Sequence, residues 1–82
     1  MKIMERNTVV LKLTEVFRKV FNNENLELKD ELTASHVENW DSLTHMILIS
    51  EIENVFQIKF KLKELNKMRN VGEMIELILQ KV

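Results

Sequence analysis

The chain has 82 residues, a formal net charge of −1, no Cys, no Pro and a single Gly, with 45% hydrophobic and 30% charged residues. That length suits one domain with one modest core, spanning residues 1–82, and the composition is globular rather than disordered. Disulfides, thiolate metal sites, protein thiol chemistry and glycine-rich phosphate loops are excluded, and the near-neutral balance argues against a dedicated nucleic-acid binder.

Met1–Arg6 mix both charge signs and lead into no apolar signal core. The first periodic segment follows from about Thr8 to Phe21. Val9, Val10, Leu13, Val16, Phe17, Val20 and Phe21 recur at steps of three and four, which predicts a helix with one apolar face. Asn7 or Thr8 is placed to cap its start, and Asn22-Asn23 to stop it. A long connection from Asn22 to about Asp41 comes next, with Leu26, Leu28, Leu32 and Val37 among polar residues. A loop of that length in so small a domain is expected to be packed or functional.

The second helix is predicted from Asp41 or Ser42 to about Phe56, with Asp41 as its N-cap. At 100° per residue, His45, Leu48, Ile49, Ile52, Val55 and Phe56 fall on one arc, which is expected to face the core. Met46 borders it. Leu43 and Ile47 fall on the opposite, polar arc with Ser50, Glu51 and Asn54. This helix also contains the longest apolar run, Met46-Ile47-Leu48-Ile49, far short of the roughly 20 residues a membrane span needs.

From Phe56 to Lys63 the period changes to two: Phe56, Ile58, Phe60 and Leu62 alternate with Gln57, Lys59, Lys61 and Lys63. The pattern alone reads as a strand. The best partner is the weak Leu26–Lys29 stretch, so an extended connection pinned onto a helical core fits better, followed by a short helical turn near Lys63–Met68. The last helix is predicted over Val71–Lys81, with Val71, Met74, Ile75 and Ile78 facing inward and Asn70 and Glu73 at capping-box spacing. The expected fold is all-α: a small antiparallel four-helix bundle, three main helices plus one short, with a long loop between the first two.

Charge is distributed unevenly. Asp30–Ile58 carries Asp30, Glu31, Glu38, Asp41, Glu51 and Glu53 and no Lys or Arg, whereas the flanking segments are net basic. Complementary fields steer encounters, so a partner with a basic surface is expected. His36 and His45 lack metal-ligand spacing to other donors. His45 is expected to be a partly buried structural residue and His36 a surface one. No nucleophile, base and orienting group can be assembled from the sequence, which makes an enzyme a poor reading. Ser42 stands out: it follows a capping Asp at a helix start, where free amides and the helix dipole favour a phosphate ester.

Trp40-Asp41-Ser42-Leu43-Thr44-His45-Met46 resembles the Asp-Ser-Leu site of acyl carrier proteins. Ile49–Phe60 is similar to that family's acidic second helix and its Glu-x-x-Phe-x-Ile-x-Phe-like ending, and Leu65–Ile78 to its third and fourth helices. The resemblance spans roughly residues 8–80. It implies a carrier, not a catalyst: a phosphopantetheinyl transferase moves 4′-phosphopantetheine from coenzyme A to Ser42, and the arm's thiol holds an acyl group as a thioester. It further implies that Asp41, Leu43, Ile47, Glu51 and Glu53 form an acidic surface with apolar anchors for partner enzymes bearing basic docking patches. The family often has Gly at the position of Asn39, a small residue at Trp40 and a polar or acidic one at Ile47. These departures point to a specialised fatty-acid, polyketide or related pathway. A free-standing cytoplasmic monomer with no nucleic-acid or membrane partner is expected. An aminoacyl or peptidyl carrier with the same arm and an unmodified helical adaptor are the alternatives.

Overall fold

The computed structural model describes residues 4–82; residues 1–3, part of the segment where no signal core is expected, lie outside the described residues. The described residues form four α-helices: α1, Arg6–Val20; α2, Ser42–Phe56; α3, Leu62–Leu65; and α4, Val71–Lys81. A 3₁₀ turn at Ala34–His36 lies in the loop between α1 and α2. The expected bundle of three long helices and one short one is therefore present. No helix among the described residues is long and apolar enough to cross a membrane.

Periodicity accounts for the core. Leu13 and Phe17 of α1, Leu48 and Ile52 of α2, and Met74, Ile75 and Ile78 of α4 are essentially inaccessible. Burying each such side chain contributes roughly 1.5–3 kcal/mol, which offsets the entropy of ordering the chain. The start of α1 departs from expectation. It begins at Arg6, and neither Asn7 nor Thr8 caps it; Glu5 holds the N-cap position without a side-chain hydrogen bond. Its end is as expected: Asn22 takes a left-handed conformation (φ 51°) just past the helix.

The long loop is packed rather than idle. Val37 and Trp40 are buried, and Leu26, Leu28 and Leu32 are partly buried against the core. Its middle is tied to the start of α4, where the Val71 and Gly72 amides donate to the Leu32 and Asp30 carbonyls, each at 2.9 Å. A Cβ on Gly72 would come within 3.1 Å of the Asp30 Cβ and 3.2 Å of its carbonyl oxygen. The one glycine thus sits where a side chain would push the loop off the helix. Arg6 adds an ion pair to Asp30 at 2.6 Å.

The period-two segment forms no strand. Gln57 turns left-handed (φ 55°) to end α2, and the Ile58 amide reaches back to the Glu53 carbonyl at 3.1 Å. Ile58 is buried and Phe60 half-buried, as the pinning argument requires, but Leu62 is 82% exposed. It opens α3 instead of closing the connection. That single-turn helix lies earlier than the Lys63–Met68 expectation. Glu64 holds it: its carboxylate accepts from the Lys61 amide (2.7 Å) and pairs with Lys81 (2.9 Å). The Lys61 amide first, and then Lys81, lowers the Glu64 pKa. At the start of α4, Asn70 Oδ1 accepts from the Glu73 amide (2.8 Å), but Glu73 returns to the Arg69 amide (3.1 Å), so the expected box is only half formed.

Candidate functional site

The start of α2 is built by a chain of local hydrogen bonds. Asn39 takes φ 71°, a conformation that Asn tolerates better than most residues, so the turn expected of Gly survives. Asp41 is the N-cap, and one carboxylate oxygen accepts from the Leu43 and Thr44 amides, both at 3.0 Å. Thr44 closes the box: its hydroxyl accepts from the Asp41 amide (2.8 Å) and donates to the Asn39 carbonyl (2.6 Å). The Thr44 amide is the main cause of a lowered Asp41 pKa, which leaves the carboxylate charged at neutral pH.

Ser42 is the first residue of α2 and its side chain is exposed. The phosphate cradle at this helix start is smaller than the sequence implies. The Leu43 and Thr44 amides are engaged by Asp41, and among the described residues only the Ser42 amide in this first turn lacks a protein acceptor. A phosphate ester on Ser42 would gain from that amide and the helix dipole, with the Asp41 charge opposing it.

Leu43 and Ile47 are 73% and 48% exposed, as their place on the polar arc predicts, and Met46 lies beside them at 56%. Val55, assigned to the core arc, is instead exposed. It stands at the edge of that arc, in a shallow groove with Lys12, Glu15 and Lys19 of α1. Glu51 and Glu53 lie on α2 but have partners of their own. Glu51 pairs with Lys19 of α1 at 3.1 Å, and Glu53 accepts from the Phe60 amide at 2.9 Å. Glu53 therefore fastens the connection after α2, a role that its surface spacing did not reveal. Asp41 caps the turn that carries Ser42, and Leu43 and Ile47 are exposed one helical turn apart on α2.

Trp40, the bulky residue beside the serine where the family often has a small one, turns inward, 8% exposed, against Phe17 (centroids 5.3 Å apart, edge-on) and Phe21 (5.7 Å). Its indole nitrogen donates to His45 Nδ1 at 3.0 Å, and the two ring planes lie within 15° of each other with centroids 6.0 Å apart. Burial pushes the His45 pKa down from its ordinary value. Sequence reasoning placed His45 on the inner arc but did not join it to Trp40. The signal was available: a helix-facing His five residues after a Trp that precedes the cap. Beside Ser42 a cleft of about 700 Å³ opens between α2 and α3, walled by Trp40, His45, Met46, Leu62, Leu65 and Met68.

A helical bundle that displays a serine at a capped helix start, beside an apolar cleft, has the build of a small carrier domain. The chain is 41% identical to the holo acyl carrier protein from Geobacter metallireducens, whose solution NMR structure it matches with a TM-score of 0.85 over 89% of this chain and 84% of that one. No protein-family model matches the chain, and no curated protein matches it. The chain belongs to the acyl carrier protein family, which places it among carriers rather than enzymes.

Proposed function

We propose that Ser42 carries a covalent 4′-phosphopantetheine arm and that the chain presents acyl thioesters on it to biosynthetic enzymes. In the modification the Ser42 oxygen displaces the bridging oxygen at the β-phosphorus of coenzyme A. Adenosine 3′,5′-bisphosphate leaves, and the serine proton passes to a base on the transferase. The observation that carries the reading is the exposed Ser42 side chain at the first position of α2, directly behind the Asp41 cap. The absence of Cys from the sequence fits it, because a thioester then needs a borrowed thiol. The holo form of the Geobacter protein gives it further support.

Docking is assigned to Asp41, Leu43 and Ile47, with Glu51 and Glu53 contributing field more than contact. Exposed aliphatics at the centre of such a surface supply affinity, and carboxylates around them speed encounter with basic patches. The pathway is a specialised fatty-acid, polyketide or related one, and the carrier acts as a cytoplasmic monomer. Incubation with coenzyme A and a phosphopantetheinyl transferase, followed by intact-mass measurement, tests the reading. One arm on the parent and none on Ser42→Ala is the expected result. Equal labelling of both would remove Ser42 as the site.

A further inference from the structure

The cleft beside Ser42 is mostly apolar; besides the serine its polar groups are Asp41, His45, Asn66 and Arg69, and His45 is the one whose protonation is fixed by its neighbour. The Trp40 indole has one N–H and no acceptor. Its 3.0 Å bond to His45 Nδ1 therefore requires an unprotonated Nδ1. A neutral imidazole then carries its proton on Nε2. Among the described residues no protein group accepts from that nitrogen. The ring is half-buried and lines the cleft. A polar N–H in an apolar wall leaves a hydrogen bond to be made by whatever enters.

Resting on the assignment of the arm to Ser42, we infer that His45 Nε2–H is a positioning donor for a carbonyl oxygen on the chain that Ser42 carries. Such an oxygen comes from the amides of the arm, from the thioester carbonyl or from an oxidised acyl cargo. Trp40 acts through His45, holding its tautomer and the orientation of its ring. The core below is filled by Trp40 against Phe17 and Phe21, so the occupant lies in the cleft and meets His45 at its wall. Met46, Leu62 and Leu65 make no such bond, and the donors Asn66 and Arg69, which also line the cleft, are exposed, so the half-buried imidazole is the donor set into the wall.

The test uses the full chain in its unmodified form, with the bare arm, with a hexanoyl thioester and with a 3-oxohexanoyl thioester. Ring ¹⁵N spectra should first show a protonated Nε2 and an unprotonated Nδ1 in the unmodified chain; the opposite tautomer would overturn the inference. A shift of the Nε2 resonance on adding the bare arm identifies an arm amide as acceptor, one that first appears with the hexanoyl form identifies the thioester carbonyl, and one confined to the 3-oxohexanoyl form identifies the oxidised cargo. No shift in any loaded form overturns the inference while leaving Ser42 as the attachment site. Failure of the parent to gain an arm by mass would bring down both.

Two variants separate donation from structure. In His45→Gln the amide nitrogen replaces the outer donor and loses the indole contact. In His45→Asn the short amide replaces the inner acceptor and loses the outer donor. Cleavage of the 3-oxohexanoyl thioester by hydroxylamine, on variants shown by melting to be folded, should match the parent in His45→Gln. It should be about two- to tenfold faster in His45→Asn, the factor one net hydrogen bond supplies. The reverse order would make His45 only a partner for Trp40, and equal rates in all three would show that its donor holds nothing.

Discussion

Two helices of this carrier, α2 and α4, have similar stocks of large apolar side chains and use them differently. In α4 Val71, Met74, Ile75, Leu77 and Ile78 are all buried. In α2 Leu48, Ile49, Ile52 and Phe56 are buried, while Leu43, Met46, Ile47 and Val55 remain at the surface. One helix serves the fold. The other gives the fold a single stripe and leaves a second apolar surface facing outward, concentrated in the half nearest Ser42. Leaving aliphatics in water forgoes their burial energy, which marks such a surface as a place for something else to bury.

The contrast is broken most completely at the first residue of α2. Ser42→Ala should abolish arm attachment, read by intact mass, with the melting temperature scarcely changed, because Asp41 and Thr44 build the cap without the serine side chain. A variant that loses both labelling and fold would make Ser42 a structural residue. The next largest effect sets one helix against the other. Ile78→Ala should cost about 2–5 kcal/mol in urea melts, as a large-to-small change at a fully buried site does. Ile47→Ala should cost well under about 1 kcal/mol and instead slow transfer to partner enzymes. Equal stability losses at the two positions would put Ile47 in the core and remove the docking patch.

Periodicity made the contrast legible before any coordinates, because a wheel needs only the sequence. It placed Leu43 and Ile47 outside and the inner face of α4 inside. It failed where the outcome depends on what lies opposite. Val55 lies at the edge of the core arc and stays 40% exposed beside polar side chains of α1, and Leu62 continues an apolar alternation into a helix start exposed to solvent. Glu51 and Glu53 were legible as acidic residues, but their partners come from α1 and from the segment after α2, at sequence distances that spacing rules do not reach. The inward turn of Trp40 was hidden for the same reason. Its packing partners Phe17 and Phe21 belong to α1, across the long loop. At the site itself, the serine, its cap and the left-handed Asn39 are all local features, and all three could be anticipated.

A smaller effect separates the two helix starts by pH. Asp41 caps α2 with an ionised carboxylate, whereas Asn70 caps α4 with an amide that does not titrate. The pKa of Asp41 is lowered in the fold from 3.8, first by the Thr44 amide. Its contribution is therefore present above that value and is lost as pH falls through the lower, folded one. Amide exchange in the first turn of α2 should accelerate over that acid range before the first turn of α4 does. In Asp41→Asn, which keeps an acceptor without the charge, the acid acceleration at α2 should disappear. The same acceleration in parent and variant would mean that other carboxylates govern the acid response.

The smallest expected effect concerns which charges on α2 are free to act at a distance. Glu51 is opposed by Lys19 of α1 at 3.1 Å, whereas Asp41 has no cationic partner among the described residues. A paired charge has much of its field cancelled nearby, and a basic enzyme must displace Lys19 before it can use Glu51 directly. An exposed pair of this kind contributes only about 0–1 kcal/mol to stability, so it can be opened at little cost to the fold. Lys19→Ala should therefore leave the melting temperature nearly unchanged and raise the rate of arm attachment at low salt, by less than about twofold. The gain should vanish as salt rises, because the screening length falls from about 10 Å at 0.1 M to about 3 Å at 1 M. Glu51→Gln should move the low-salt rate the other way by a similar small factor. A fall in rate with Lys19→Ala would mean that Lys19 positions Glu51 for the partner, and the pair would then belong to the docking surface as a unit.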